Sequence, residues 1–142
     1  MAEPSCGFVA VLGAPNVGKS TLVNRFVGTK VSIVTPKVQT TRNRVIGIAL
    51  AGDAQIVFID TPGVFAPKKR LERAMVSAAW SGARDADIVL MLIDAKRGLD
   101  KHSRLIVEHL CEGGSQALLG INKIDTVERK SLLTLAAEFD AE

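Results

Sequence analysis

Residues 13–20 read Gly-Ala-Pro-Asn-Val-Gly-Lys-Ser, and no other stretch of the 142-residue chain restricts the fold so severely. Phe8 to Leu12 is a short apolar run that stops at Gly13, the pattern of a buried strand. Lys19 to Val27 carries Leu22, Val23, Phe26 and Val27 at helical spacing, with Gly28 placed to end the helix. A glycine-rich turn between a strand and a helix is the context that the phosphate-loop pattern needs. Glycines let the backbone curl until successive N–H groups point at one centre, and the positive end of the following helix adds to the field there. Gly13, Ala14, Pro15, Asn16, Val17, Gly18, Lys19, Ser20 and Thr21 are therefore candidate phosphate-binding residues. Lys19 would reach the β- and γ-phosphates, and Ser20 would offer its hydroxyl to Mg2+. The bland alternative is a glycine turn carrying an exposed lysine.

The rest of the chain alternates between the two periods. Val45–Leu50 and Gln55–Ile59 read as strands, and Ala51-Gly52-Asp53 between them suits an antiparallel hairpin. Residues 30–43 follow neither period and are rich in threonine and basic side chains, so they read as loop. A helix is expected from about Leu71 to Ala83, with Leu71, Met75, Ala78 and Ala79 inward and Trp80 packed beside it. Ile88 to Ile93 is continuously apolar, which predicts burial on both faces of a parallel sheet. A helix near Lys101–Cys111 would turn Leu105, Ile106, His109 and Leu110 inward, and Cys111 reads as a small buried hydrophobe. Ala117–Ile121 is the next strand, and a last helix from about Glu128 would bury Leu132, Leu135, Ala136 and Phe139. The order β-α-β-β-α-β-α-β-α predicts an α/β domain with a mainly parallel sheet, one antiparallel edge strand and helices on both faces.

That architecture puts ligands at the carboxyl ends of the strands, where two further motifs fall. Asp60-Thr-Pro-Gly63 ends a strand; Asp60 could hold the Mg2+ shell through water and the Gly63 N–H could sense a γ-phosphate, against the alternative of a solvated turn. Asn122-Lys-Ile-Asp125 follows the next strand. A carboxylate there can accept two parallel hydrogen bonds, from guanine N1–H and the 2-amino group. Adenine has neither donor, and a site that needs a partner can reject the wrong ligand by ~10^4-fold. Asn122 and Lys123 would brace the pocket, the lysine stem lying along the base or the phosphate loop. The alternative for Asp125 is a helix N-cap. His102 and His109 have no triad partner or metal-ligand spacing and read as structural or surface residues.

Composition excludes several other classes. Apolar residues make up 47% and charged residues 23%, ordinary for a globular domain and unlike a disordered chain. Ile88–Ile93 is far shorter than the ~20 residues of a membrane helix. Cys6 and Cys111, with no CxxC, suggest a reducing compartment, by default the cytoplasm, and no zinc site. The net charge of +3 is small but uneven. Lys30, Lys37, Arg42 and Arg44 lie together without an acid, and Lys68, Lys69, Arg70 and Arg73 face only Glu72. A solvated surface and attraction of a polyanion are both open readings.

Gly13-Ala-Pro-Asn-Val-Gly-Lys-Ser20, Lys37-Val-Gln-Thr-Thr-Arg42, Asp60-Thr-Pro-Gly63 and Asn122-Lys-Ile-Asp125 together resemble the Era family of Ras-like, translation-factor-related bacterial GTPases. Gln39-Thr-Thr-Arg42 is the most specific of these passages; the tRNA-modifying and double-domain ribosome-assembly GTPases share the others. The resemblance covers the whole chain as the front part of that family's sequence. It implies a Ras-like G domain that binds GTP and GDP with Mg2+ and hydrolyses GTP as a switch. Residues 30–43 would be switch I and 61–72 switch II, so the basic stretches coincide with the switches. Thr41, with Thr40 as competitor, would join Ser20 and Asp60 around Mg2+. Lys19, Asn16, Thr41 and Gly63 would serve the reaction.

Val64 stands where Ras-like enzymes place a water-orienting glutamine, and valine cannot hydrogen-bond water. Slow intrinsic hydrolysis is expected, well below roughly one turnover per second. In related GTPases an asparagine at the position of Asn16 helps hold a K+ ion; loop conformation alone is the alternative for this residue.

The family's fifth guanine-binding segment and its C-terminal RNA-binding KH domain have no counterpart here. A fragment is therefore expected, monomeric but with an exposed sheet edge that favours association. In full length the resemblance implies a factor for 30S ribosomal-subunit assembly that binds 16S rRNA, with peripheral contact at the inner membrane. A nucleotide-binding module without useful turnover and an ATP-using P-loop enzyme are the competing readings.

Overall fold

The computed structural model describes residues 5–14, 16–27, 45–59, 80, 83–114 and 116–141, without the side chains of residues 20, 45 and 46. Five strands, β1 (Ser5–Leu12), β2 (Val45–Ala51), β3 (Ala54–Ile59), β4 (Ile88–Asp94) and β5 (Ala117–Asn122), form one sheet in the order β2-β3-β1-β4-β5. β1 pairs in parallel with β3 and β4, and β4 in parallel with β5. β2 is antiparallel to β3 and forms one edge. The hairpin is short because two turn residues, Gly52 and Asp53, join its strands. Three parallel pairings then force crossovers; helices α1 (Lys19–Phe26) and α2 (Lys101–Gly113) lie in two of these connections, and α3 (Arg129–Asp140) follows β5.

Alternation along β1 sorts the core into two layers. Ala10 and Leu12 join Val89, Met91 and Ile93 under Ile106 and Leu110 of α2 and Leu135 of α3. Phe8 extends that layer over Ile48, Val57 and Ile59. On the opposite face Val11 packs with Ala49, Phe58 and Val23 of α1. The architecture is thus a mainly parallel sheet with one antiparallel edge strand and helices on both faces.

Three expectations change. The inward stripe of α2 is Ser103, Ile106 and Leu110, with Val107 half-buried; Leu105 and His109 are exposed. Asp100 fixes the start of this helix, its carboxylate accepting from Ser103 N at 2.8 Å, and packing of Ile106 and Leu110 against the sheet puts Ser103 on the buried side. Cys111 is exposed rather than buried, because it follows Leu110 and so turns off the stripe. On α3 Leu135 is buried and Leu132 and Phe139 are half-buried, but Ala136 is exposed.

The β4 run is covered unevenly. Val89, Met91, Leu92 and Ile93 are buried, whereas Leu90 is half-buried and Ile88 is 37% exposed. Among the described residues α1 is the helix on that face, and its eight residues reach Val11, Phe58 and, through Leu22, Leu92. β5 is the second edge of the described sheet, and Leu118 is 60% exposed there. Most of the helix expected over residues 71–83 lies outside the described residues. Trp80 is helical and half-buried, and its indole stacks on His109 of α2 with centroids 4.0 Å apart.

Candidate nucleotide-binding site

β3, β1, β4 and β5 run in one direction, so their carboxyl ends share one edge of the sheet. Leu12 ends β1 and leads into the glycine-rich loop; Asn122 ends β5 and opens the Asn-Lys-x-Asp segment. Ile59 ends β3 at that edge, immediately before Asp60. Parallel pairing therefore brings residues more than a hundred positions apart to one mouth.

The loop is shaped by close packing. A Cβ on Gly13 would lie 2.6 Å from Leu92 O and 2.7 Å from Val17 Cγ2, so only glycine lets the loop leave β1 this close to β4. Ala14 and Val17 are buried against Leu92 and seat the loop on the sheet. Asn16 (φ 66) and Gly18 (φ 98) take left-handed conformations. Asparagine visits that region more readily than most side chains, so the residue type suits the backbone at position 16. α1 begins at Lys19, and its first turn offers N–H groups without intrahelical partners to the same mouth. The Lys19 ammonium lies over the loop and donates to Gly13 O at 3.1 Å and Ala14 O at 3.2 Å. A cation among curled amides is a site for phosphate oxygens.

The Asn-Lys-x-Asp segment is bonded to this loop directly. Asn122 Nδ2 donates to Val17 O at 2.8 Å, and a side chain on Gly18 would collide with that amide. Lys123 Nζ donates to Asn16 O at 2.8 Å. Both contacts tie the segment to the loop. Asp125 sits in a short 3-10 helix, Ile124–Thr126, and is exposed. It does not cap α3, whose N-cap residue is Glu128.

Sequence reasoning missed Asp94, which ends β4 opposite Asn122. Its carboxylate makes an ion pair with Lys123 Nζ at 3.2 Å and accepts from Lys96 N at 2.9 Å. Burial pushes its carboxyl up, but the hydrogen bonds from Lys123, Lys96 N and Arg97 N and the nearby ammonium outweigh that and hold it below the usual carboxylate range. The sequence offers only an acid closing an apolar strand; its relevance depends on the pairing of β4 with β5 at the ligand-binding end of the sheet.

Pro15, Thr40, Thr41, Asp60, Gly63 and Val64 lie outside the described residues, as does the side chain of Ser20. The Thr21 side chain is exposed on the first turn of α1. The oxygens that would meet a metal are hydroxyls and a carboxylate, the hard donors that suit Mg2+.

Comparison with known proteins agrees with this geometry. The family described as "50S ribosome-binding GTPase" matches residues 8–123. A GTPase Era from Bradyrhizobium sp. (strain BTAi1) is 57% identical over 136 residues, which are 96% of this chain and 44% of that protein. A GTPase Era from Afipia carboxidovorans is 60% identical over 136 residues, again 44% of its length. The chain thus spans less than half the length of these curated relatives. A crystal structure of Era in complex with MgGDPNP and nucleotides 1506–1542 of 16S ribosomal RNA superimposes with a TM-score of 0.77 at 42% identity, covering 96% of this chain and 47% of that one. A phosphate loop bonded to a guanine-type motif at one end of a Ras-like sheet, and a family match that runs from β1 through the loop to Lys123, lead to one assignment: the chain belongs to the 50S ribosome-binding GTPase family, and within it is similar to Era proteins.

Proposed function

We propose that this chain is the guanine-nucleotide-binding part of a GTPase switch that converts GTP to GDP and phosphate. The supporting observation is the pair of hydrogen bonds from Asn122 to Val17 O and from Lys123 to Asn16 O, which join the Asn-Lys-x-Asp segment to the glycine-rich loop. Lys19 and the loop amides would stabilise charge that develops on the phosphates. Asp125 would accept from guanine N1–H and the 2-amino group. Ser20, Thr41 and Asp60 would hold Mg2+, which neutralises phosphate charge when bound. The Gly63 N–H would report the γ-phosphate. Asn16 would hold K+ beside the transferred phosphate in place of an arginine finger.

The relative solved with a guanine nucleotide and a 16S rRNA fragment supports extending this to the whole protein. There we propose a factor in small-subunit assembly, with rRNA bound by a C-terminal KH domain beyond this G domain. The cytoplasm, with peripheral contact at the inner membrane, is the proposed location. The basic stretches at residues 30–44 and 64–73 supply cations for that polyanion.

Competition binding tests the nucleotide reading. GDP and GTP should displace a fluorescent guanine nucleotide where ATP does not, and Asp125→Asn should shift preference towards xanthine by exchanging an acceptor for a donor. ATP competing equally with GTP would overturn guanine selection. Phosphate release should be slow, and faster in K+ than in Na+. Nucleotide binding without any phosphate release would favour the second reading, a switch run by occupancy alone, to which Val64 points.

A further inference from the structure

Lys123 and Asn16 are the described non-glycine residues with positive φ, 58° and 66°, and they are bonded to each other. Such a conformation is strained for an L-residue, so tertiary contacts must hold them. Asn16 has the intrinsic tolerance of its residue type. Lys123 has none, and its ammonium is gripped from two sides, by Asn16 O at 2.8 Å and by Asp94 Oδ2 at 3.2 Å.

Asp94 is itself rigidly placed. Its Oδ1 accepts from Lys96 N at 2.9 Å while Oδ2 meets Lys123, so each oxygen has a task and the carboxylate cannot rotate without loss. Its backbone carbonyl accepts from Arg97 N at 3.1 Å and Gly98 N at 2.9 Å, and the next residue, Ala95, donates to Asn122 O at 2.9 Å. The turn after β4 is thereby bonded to the Asn-Lys-x-Asp segment through backbone and side chain alike. The Asp94 side chain is 12% exposed and that of Lys123 40%, so water competes weakly for the anion of this pair.

We propose that Asp94 is a positioning residue of the base pocket: it holds Lys123 against the phosphate loop, and through Lys123 it slows the release of guanine nucleotide. The proposal rests on the guanine-site reading given above. Asp94→Asn is the informative substitution. Its amide oxygen can still accept from Lys96 N, so the turn survives, while its NH2 would point a donor at the ammonium.

The test is a double-substitution cycle read by displacement of mant-GDP from this chain by excess GDP. Asp94→Asn should speed dissociation on the order of fivefold, the scale of a partly buried ion pair. In a Lys123→Met background the same change should have no further effect. Asp94→Ser, whose hydroxyl can also accept from Lys96 N, is run beside it, with melting temperature as the check of folding. A wild-type rate in both Asp94 variants, or the same acceleration with and without Lys123, would overturn the proposal. A wild-type rate in Lys123→Met alone would overturn it too, because the effect runs through Lys123; failure of the chain to bind mant-GDP would instead sink the guanine-site reading on which it stands.

Discussion

Gly13 shows how one missing side chain governs the site. Leu92 O, 2.6 Å from where a Cβ would stand, belongs to the backbone of a central strand and cannot retreat; Val17, at 2.7 Å, can move only by unseating the loop. Gly13→Ala should therefore destabilise the fold by about 1–3 kcal/mol, and it should weaken nucleotide binding more than it lowers the melting temperature of the unliganded chain. Urea denaturation and mant-GDP titration on one preparation separate the two effects. The residue types of the loop and of Asn122-Lys-Ile-Asp125 were legible in the sequence because their chemistry depends on local spacing. Asp94 was not, because an acid after Ile93 means nothing until β4 is known to lie beside β5.

Helix α2 makes the same point at the scale of an element. Its existence followed from its apolar spacing, but its rotation did not. Leu105 and His109 fit an inward stripe as well as Ser103 does, if hydrophobicity is the only guide. The Asp100 cap and the Arg97–Asp100 pair at 3.0 Å fix where the helix starts, and packing of Ile106 and Leu110 in the core settles which side faces the sheet, with Ser103 on it. Replacing Asp100 by Ala should cost about 1 kcal/mol, the usual loss for an N-cap, and Asp100→Asn should cost less because asparagine caps as well. Equal losses in chemical denaturation would show that the ion pair, rather than the cap, carries the effect. Trp80 provides a local probe of this helix, since its indole lies on the His109 ring. His109→Ala should change tryptophan emission with little change in stability, the imidazole being exposed.

At the scale of the whole molecule, Asp94 and Asp100 tie folding to pH. At Asp100 burial pushes the carboxyl up, and the Ser103 hydrogen bonds, Arg97 and His102 more than reverse it. Both carboxyls therefore titrate below their ordinary value of about 3.9 in the folded chain. The unfolded chain takes up these protons first as pH falls. Their stabilising contribution is complete above about pH 5, declines through the ordinary value, and is gone once pH passes below the lowered values. The melting temperature should fall in acid accordingly, and the fall should be shallower in Asp94→Asn/Asp100→Asn; parallel pH profiles would remove the linkage. The sequence by itself determined the strand–loop–helix entry, the alternation that makes a parallel sheet, and the chemistry of each motif, all of which depend on neighbours a few positions away. Tertiary structure alone decided which faces of β4 are covered, which stripe of α2 is buried, and that Lys123 is clasped between Asn16 and Asp94. Those outcomes depend on strand order and register, which join residues about thirty to a hundred positions apart and leave no periodic trace along the chain.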